Sequence, residues 1–237
     1  MKQTLLFIII IISFVTVNGQ EFNKNIDKDS LLQIIVKELP TEKKDEFLKI
    51  YKEGNEESKE FLLFMYSMPR SSKKELIENF DKNKDSIFKL QTEFSKLVPD
   101  SLIVFIEFNP KNIIVNTEES IDLKIYGKSI TQEWNLEYDS DVLNEMIKSL
   151  GWNSDTLQKI KTLLDNANCI SIENGETTTI GFARSGMGKY SYKIFKTDLT
   201  DEQKSKYNDS CMYFFYKDNI VLEYGGGAIG PQCFPDE

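Results

Sequence analysis

Val98-Pro99-Asp100-Ser101-Leu102-Ile103-Val104-Phe105-Ile106-Glu107-Phe108 divides this chain into two kinds of pattern. Before it, apolar residues recur three and four apart, the spacing of a helix face. After it, they alternate with polar residues, the spacing of a strand. Pro99 closes the first pattern, and Leu102–Phe108 is a strongly apolar strand.

Upstream, the helical pattern covers residues 28–98. Leu31, Leu32, Ile35, Val36 and Leu39 lie on one face, and Pro40 stops that helix. Thr41 caps the next, whose apolar face is Phe47, Leu48 and Tyr51 and whose end is Gly54. Phe61-Leu62-Leu63-Phe64-Met65-Tyr66 is apolar all round, which predicts the central helix of a small bundle. Ser72 with Glu75 forms a capping box before Leu76, Ile77 and Phe80. The polar stretch Asp81–Asp85 interrupts the pattern, which resumes at Ile87, Phe88, Gln91, Phe94 and Val98.

Downstream, Asn109–Asn112 is a turn leading to Ile113-Ile114-Val115. Ile121, Leu123 and Ile125 alternate with polar residues, and a further strand carries Trp134, Leu136 and Tyr138. These form an antiparallel meander of about four strands, Ile113–Val115 among them. Two helices follow, with Leu143, Met146, Ile147 and Leu150 inward on one and Leu157, Ile160, Leu164 and Ala167 on the other. Asn174-Gly175 then marks a hairpin between residues 170–173 and 177–182. Tyr190–Phe195, Cys211–Tyr216 and Ile220–Tyr224 are the remaining strands, with a short helix capped by Thr200 and Gln203. The fold class is α+β: a small N-terminal helical bundle, residues 20–98, then antiparallel sheet with two packed helices, residues 99–237.

The first nineteen residues read differently. Lys2 precedes the apolar run Leu5–Val17, and Val17-Asn18-Gly19 places a small residue before a cleavage point. That is the layout of a secretory signal peptide. The run falls short of the roughly 20 apolar residues of a transmembrane helix, so no stable membrane insertion is expected once the leader is removed. The expected location is periplasmic or extracellular. Only Arg70 and Arg184 are arginines among 29 basic residues, and Asn and Ile are abundant, as in an AT-rich bacterial genome. A net charge of −9 argues against binding nucleic acid.

Cys169, Cys211 and Cys233 allow one internal bridge. Cys211 with Cys233 is the expected pair, because it secures a tail that little else holds. An exported protein meets conditions where such a bridge persists. Cys169 is left free. The spacing fits no zinc site, and no residue set implies a metal or cofactor.

Catalytic signals are poor. The chain contains no histidine, which excludes a Ser-His-Asp triad and a Cys-His pair. Ser86-Ile87-Phe88-Lys89 matches a serine–lysine pattern without the elements that accompany it. Paired carboxylates need no histidine, and Glu107, which interrupts an apolar strand, is the acid to watch. The stretch Gly181–Tyr190 ends in Gly188-Lys189, but Tyr190 stands where a phosphate-binding loop needs Ser or Thr. The remaining candidate is a hairpin tip in which Arg184, Gly186, Gly188 and Lys189 hold an anion, with the run Gly225–Gly230 beside it. Met187 and Ile229 add apolar contact surface there. If the strand is regular, Phe182 and Arg184 share the inward face.

These features predict an exported, non-enzymatic binding or interaction protein whose partner is another protein or a small anionic ligand. The alternative is a carboxylate-dependent hydrolase acting on cell-wall glycan or another polysaccharide.

Overall fold

The structure, a computed structural model, describes residues 22–209, 211–225 and 233–234. The leader expected over residues 1–19, and the glycine run beyond Gly225 with Ile229, lie outside the described residues.

Three helices open the chain: α1 (Lys28–Glu38), α2 (Thr41–Glu53) and α3 (Glu56–Ser67). Asp27 caps α1 by accepting from the Asp29 and Ser30 amides, and Asn55 caps α3 through the Ser58 amide. Thr41 is the first helical residue of α2 and Pro40 takes the cap position. Ile35, Leu39, Phe47 and Leu63 form a small core of their own. Helix α3 was expected at the centre of a bundle. It instead packs on α1 and α2 from one side, so Leu63 is buried while Phe61 stays 60% exposed.

Helix α4 (Lys73–Leu97) begins at the capping box of Ser72 and Glu75. Its polar stretch does not end it. Only Asn83 leaves helical geometry, and the helix kinks there. One turn earlier lies buried Asn79, which donates to the Tyr192 hydroxyl (3.0 Å) and the Ala167 carbonyl (3.3 Å). It accepts from Asn83 and Asn168 (both 2.8 Å). The polar residues that weaken the helical pattern thus serve a buried network. Leu76, Phe80, Ile87, Leu90 and Phe94 of α4 join the large core of the sheet.

That core lies between α4, α5 (Asp141–Ser149) and α6 (Ser154–Ala167) and one face of an eight-stranded antiparallel sheet. The strands are β1 (Ile103–Asn109), β2 (Ser120–Tyr126), β3 (Ile130–Leu136), β4 (Ser171–Glu173), β5 (Thr177–Ser185), β6 (Gly188–Phe195), β7 (Tyr213–Lys217) and β8 (Ile220–Gly225). Their order is β3-β2-β1-β4-β5-β6-β8-β7. Residues 103–136 build one end and residues 171–225 the other. They meet where β1 pairs with the three-residue β4. Asn174 clamps that junction, accepting from the Val104 amide (2.7 Å) and donating to the Leu102 carbonyl (3.1 Å).

Ile113–Val115 forms no strand. The Asn112 side chain takes the Ile114 amide (2.9 Å), turning the backbone before a ladder can form. The N-terminal segment ties to this loop through the Asn23 amide and the Ile114 carbonyl (2.7 Å). At the other end of the chain, Cys211 and Cys233 are disulfide-bonded with Cα atoms 4.0 Å apart, as expected. Cys169 is free and buried, and burial pushes its thiol up to about 12. Phe234 packs near Tyr190 and Tyr224, with its amide on the Cys211 carbonyl (2.8 Å).

Candidate functional site

Helices α4, α5 and α6 pack on one face of the sheet. On β1, Val104, Ile106 and Phe108 point into the core, so Phe105 and Glu107 point to the other face. Glu107 is nonetheless only 1% exposed. It stands between Asp122 of β2 and Ser171 of β4 in register. Arg184 of β5 donates from Nε to Glu107 Oε1 (2.8 Å), and its Nη2 lies 2.6 Å from the same oxygen. Lys189 of β6 reaches Oε2 (2.9 Å) and also donates to Ser171 Oγ (3.1 Å). Its ammonium sits 4.8 Å from the centre of the Phe105 ring.

Small residues make this reach possible. Lys189 crosses β5 above Gly181, where a Cβ would strike Ser171 Oγ and come within 3.0 Å of Lys189 Cδ. Arg184 arrives by another device. The β5–β6 register shifts between Gly181 and Ala183, a bulge that inserts one residue. Phe182 therefore packs toward the core while Arg184 points to the helix-free face. The regular strand expected from sequence would have put both inward.

The structure thus brings Arg184 and Lys189 together, on a carboxylate of the protein itself. The glycines have separate tasks. Gly186 has φ +57° at the hairpin tip, and its amide donates to the Pro69 carbonyl (2.8 Å). Ser185 Oγ exchanges hydrogen bonds with the Ser71 amide (3.2 Å) and carbonyl (3.1 Å). Gly188 lies under the Tyr224 ring, which a Cβ would meet at 3.0 Å.

Asp122 completes the group. Its Oδ1 accepts the Asn135 amide (2.8 Å), and Oδ2 lies 3.9 Å from Arg184 Nη2. Burial raises its pKa, and the Glu107 charge adds to that. The Asn135 and Asn109 hydrogen bonds and the Arg184 charge oppose the rise. A raised native pKa means the folded state holds a proton that the unfolded state has released. The associated stability is present below the unfolded pKa and is lost as pH rises through the folded one. Asp122→Asn keeps the acceptor for the Asn135 amide and removes the buried charge. It is expected to match or exceed the parent melting temperature at pH 7, with the gain shrinking as pH falls. A melting-temperature series from pH 3 to 8 checks this, and a loss at pH 7 overturns it.

Chemically, Glu107 has both oxygens engaged by cations and is closed to solvent, so neither oxygen is open to a ligand. Among the described residues no cluster of His, Cys, Asp or Glu can hold a metal ion. A cavity of about 180 Å³ opens elsewhere, among Phe108, Tyr138, Leu164 and Cys169, with Lys161 and Asp165 paired (3.3 Å) beside it.

The helix-free face also carries apolar surface that the sequence pattern did not reveal. Ile103, Tyr126 and Ile130 follow one another across β1, β2 and β3. Phe105 and Trp134 meet edge to face, their centroids 6.2 Å apart. Trp134 and Leu136 are two apart, which in a regular strand puts them on one face. A second bulge, opposite Asp122, separates them: Asn135 takes φ +56°, Leu136 enters the core, and Trp134 is left 50% exposed. No protein family, no curated protein and no solved structure matches this chain.

Proposed function

We propose that this is an exported, non-enzymatic binding protein, and that the helix-free face around Ile103, Phe105, Tyr126 and Trp134 receives a protein partner. The carrying observation is the exposure of Ile103 and Trp134 on the sheet face opposite α4, α5 and α6, which no helix covers among the described residues. Large apolar side chains grouped on an exposed surface mark contact sites, and aromatic anchors dominate such interfaces. The ion group beneath holds the strands rigid, which limits the ordering cost of binding. Arg184, partly exposed at the border, adds positive charge for an acidic group of the partner. Export rests on the leader pattern and agrees with the Cys211–Cys233 bridge.

The hydrolase alternative has one supporting feature: Glu107 and Asp122 stand directly opposite each other on adjacent strands. Retaining glycosidases place their carboxyl groups about 5–5.5 Å apart. Against it, such a pair needs solvent and substrate access, and both acids are buried.

A photoreactive residue at position 103 in the exported protein should form adducts with a distinct partner that one at Gln158, on the helix-covered side, does not. Trp134→Ala should then weaken that partner's binding about 30-fold, the equivalent of a 2 kcal/mol anchor, without lowering the melting temperature. Equal adducts at both positions would overturn the proposal. So would polysaccharide hydrolysis that Asp122→Asn abolishes.

A further inference from the structure

We propose that β3 is the seam of a two-fold dimer, in which a second copy of this chain continues the sheet edge to edge. The inference shares Trp134 with the binding-face proposal but concerns the strand edge, and its test reads the mass of the chain, which that proposal does not predict.

The two edges of the sheet are treated differently. At β7, Tyr216 and Lys217 bind Asp81 of α4, and Lys204 of α7 (Asp201–Lys206) lies over the Phe215 ring. That edge is guarded by covering elements and charge, as solitary edges usually are. At β3 nothing comparable occurs. Apart from its pairing with β2, the backbone over residues 130–135 makes one hydrogen bond among the described residues, from the Asn135 amide to Asp122. Every residue from Ile130 to Asn135 is exposed. Ile130, at 62%, is among the most exposed large apolar residues. No proline or lysine interrupts this stretch.

The residue order matches a second copy of itself. The Gly127–Ser129 turn bounds the regular edge at one end, and the bulge at Asn135 bounds it at the other. Its straight part runs from Ile130 to Trp134, with Gln132 at the centre. A two-fold axis normal to the sheet keeps each face on its own side and pairs equivalent residues about that centre. With the axis at Gln132, Ile130 of each copy stands opposite Trp134 of the other. Gln132 meets Gln132, and Thr131 meets Glu133. Apolar side chains pair with apolar ones, and no like charges face each other. Moving the axis to Glu133 sets two carboxylates face to face. Moving it to Thr131 sets Trp134 opposite Lys128. The sequence therefore favours one register over its neighbours.

The test is the mass of the mature chain in solution, by light scattering and sedimentation from about 1 to 100 μM, with Ile130→Lys alongside. The expected result is twice the chain mass for the parent and a single-chain mass for Ile130→Lys at an unchanged melting temperature. Gln132→Cys reads the register. Its thiol is the one added to a chain whose other cysteines are bridged or buried. Mild oxidation should link two Gln132→Cys chains at the axis. Ser129→Cys should not link, because its equivalents lie about 20 Å apart along the strands and a disulfide needs Cα atoms within about 7 Å. A parent of single-chain mass throughout overturns the proposal, even if it accepts a foreign extended peptide at β3. So does a dimer that survives Ile130→Lys, or equal linking of both cysteine variants.

Discussion

Glu107→Gln is expected to destabilise the protein by about 3–5 kcal/mol, the usual effect of removing one partner from a buried ion group. The substitution is nearly isosteric, so packing is preserved and the change is electrostatic. Arg184 and Lys189 would face a neutral amide that is itself closed to solvent. Of the two, Lys189 is the more confined, since its ammonium is committed between Ser171, Glu107 and the Phe105 ring. Denaturant unfolding with an unchanged slope would report the loss directly. The melting temperature should fall by roughly 6–20 °C for a chain of this size. Lys189→Met should cost less, because it leaves Glu107 paired with Arg184 and replaces the lysine stem with an apolar chain. If Glu107→Gln is neutral, the ion group does not hold the two ends of the sheet together.

Replacing Cys211 and Cys233 by serine is expected to cost about 3 kcal/mol, from the loop entropy returned to the unfolded chain. The bridge spans a sequence separation of 22 and holds Phe234 against Tyr190 and Tyr224. Its loss frees the described end of the tail as well as the loop. The melting temperature should drop by roughly 6–12 °C, and reductant should lower the parent by the same amount while leaving the double variant unchanged. Cys169 should stay unreactive in the folded state, because its buried thiol is held far from the thiolate form. A parent whose melting point ignores reductant would show that the tail contributes nothing to the fold.

The order of helices and strands was legible because local rules decide it. Ser72 and Glu75, Thr200 and Gln203, and the turn at Asn174-Gly175 act within a few residues of themselves, and the structure places a helix start or hairpin at each. The bridge was legible because few cysteines leave few choices. Which face a side chain takes was much less so. Arg184 follows one bulge and Trp134 stands before Asn135 at another, and one inserted residue reverses the relation between the two sides of it. No local residue signature announces either bulge. Asn135 is suited to the left-handed conformation it adopts, yet asparagine is common in this chain. Glu107 stood out as a polar interruption of an apolar strand. Its partners did not, because they lie 77 and 82 residues away. The exposed side of α3 was hidden for a different reason: an all-round apolar helix shows that it has surface to bury, without showing that the fold covers it.

The junction of β1 with β4 also orders the way the chain assembles. Strands β1 to β3 pair with neighbours in sequence, and so do β4 to β8 except that β6 skips β7 to reach β8. Such local pairings form early, because little loop entropy opposes them. Joining Phe105–Glu107 to Ser171–Glu173 must wait until α5 and α6 have crossed between them. Until then β1 and β4 are both open edges, the form of intermediate most prone to pair with the wrong chain. Three residues of ladder give that last step little hold. The contacts of Glu107 with Arg184 and Lys189 become available only there, so the ion group acts as a latch on a nascent chain that has otherwise finished folding.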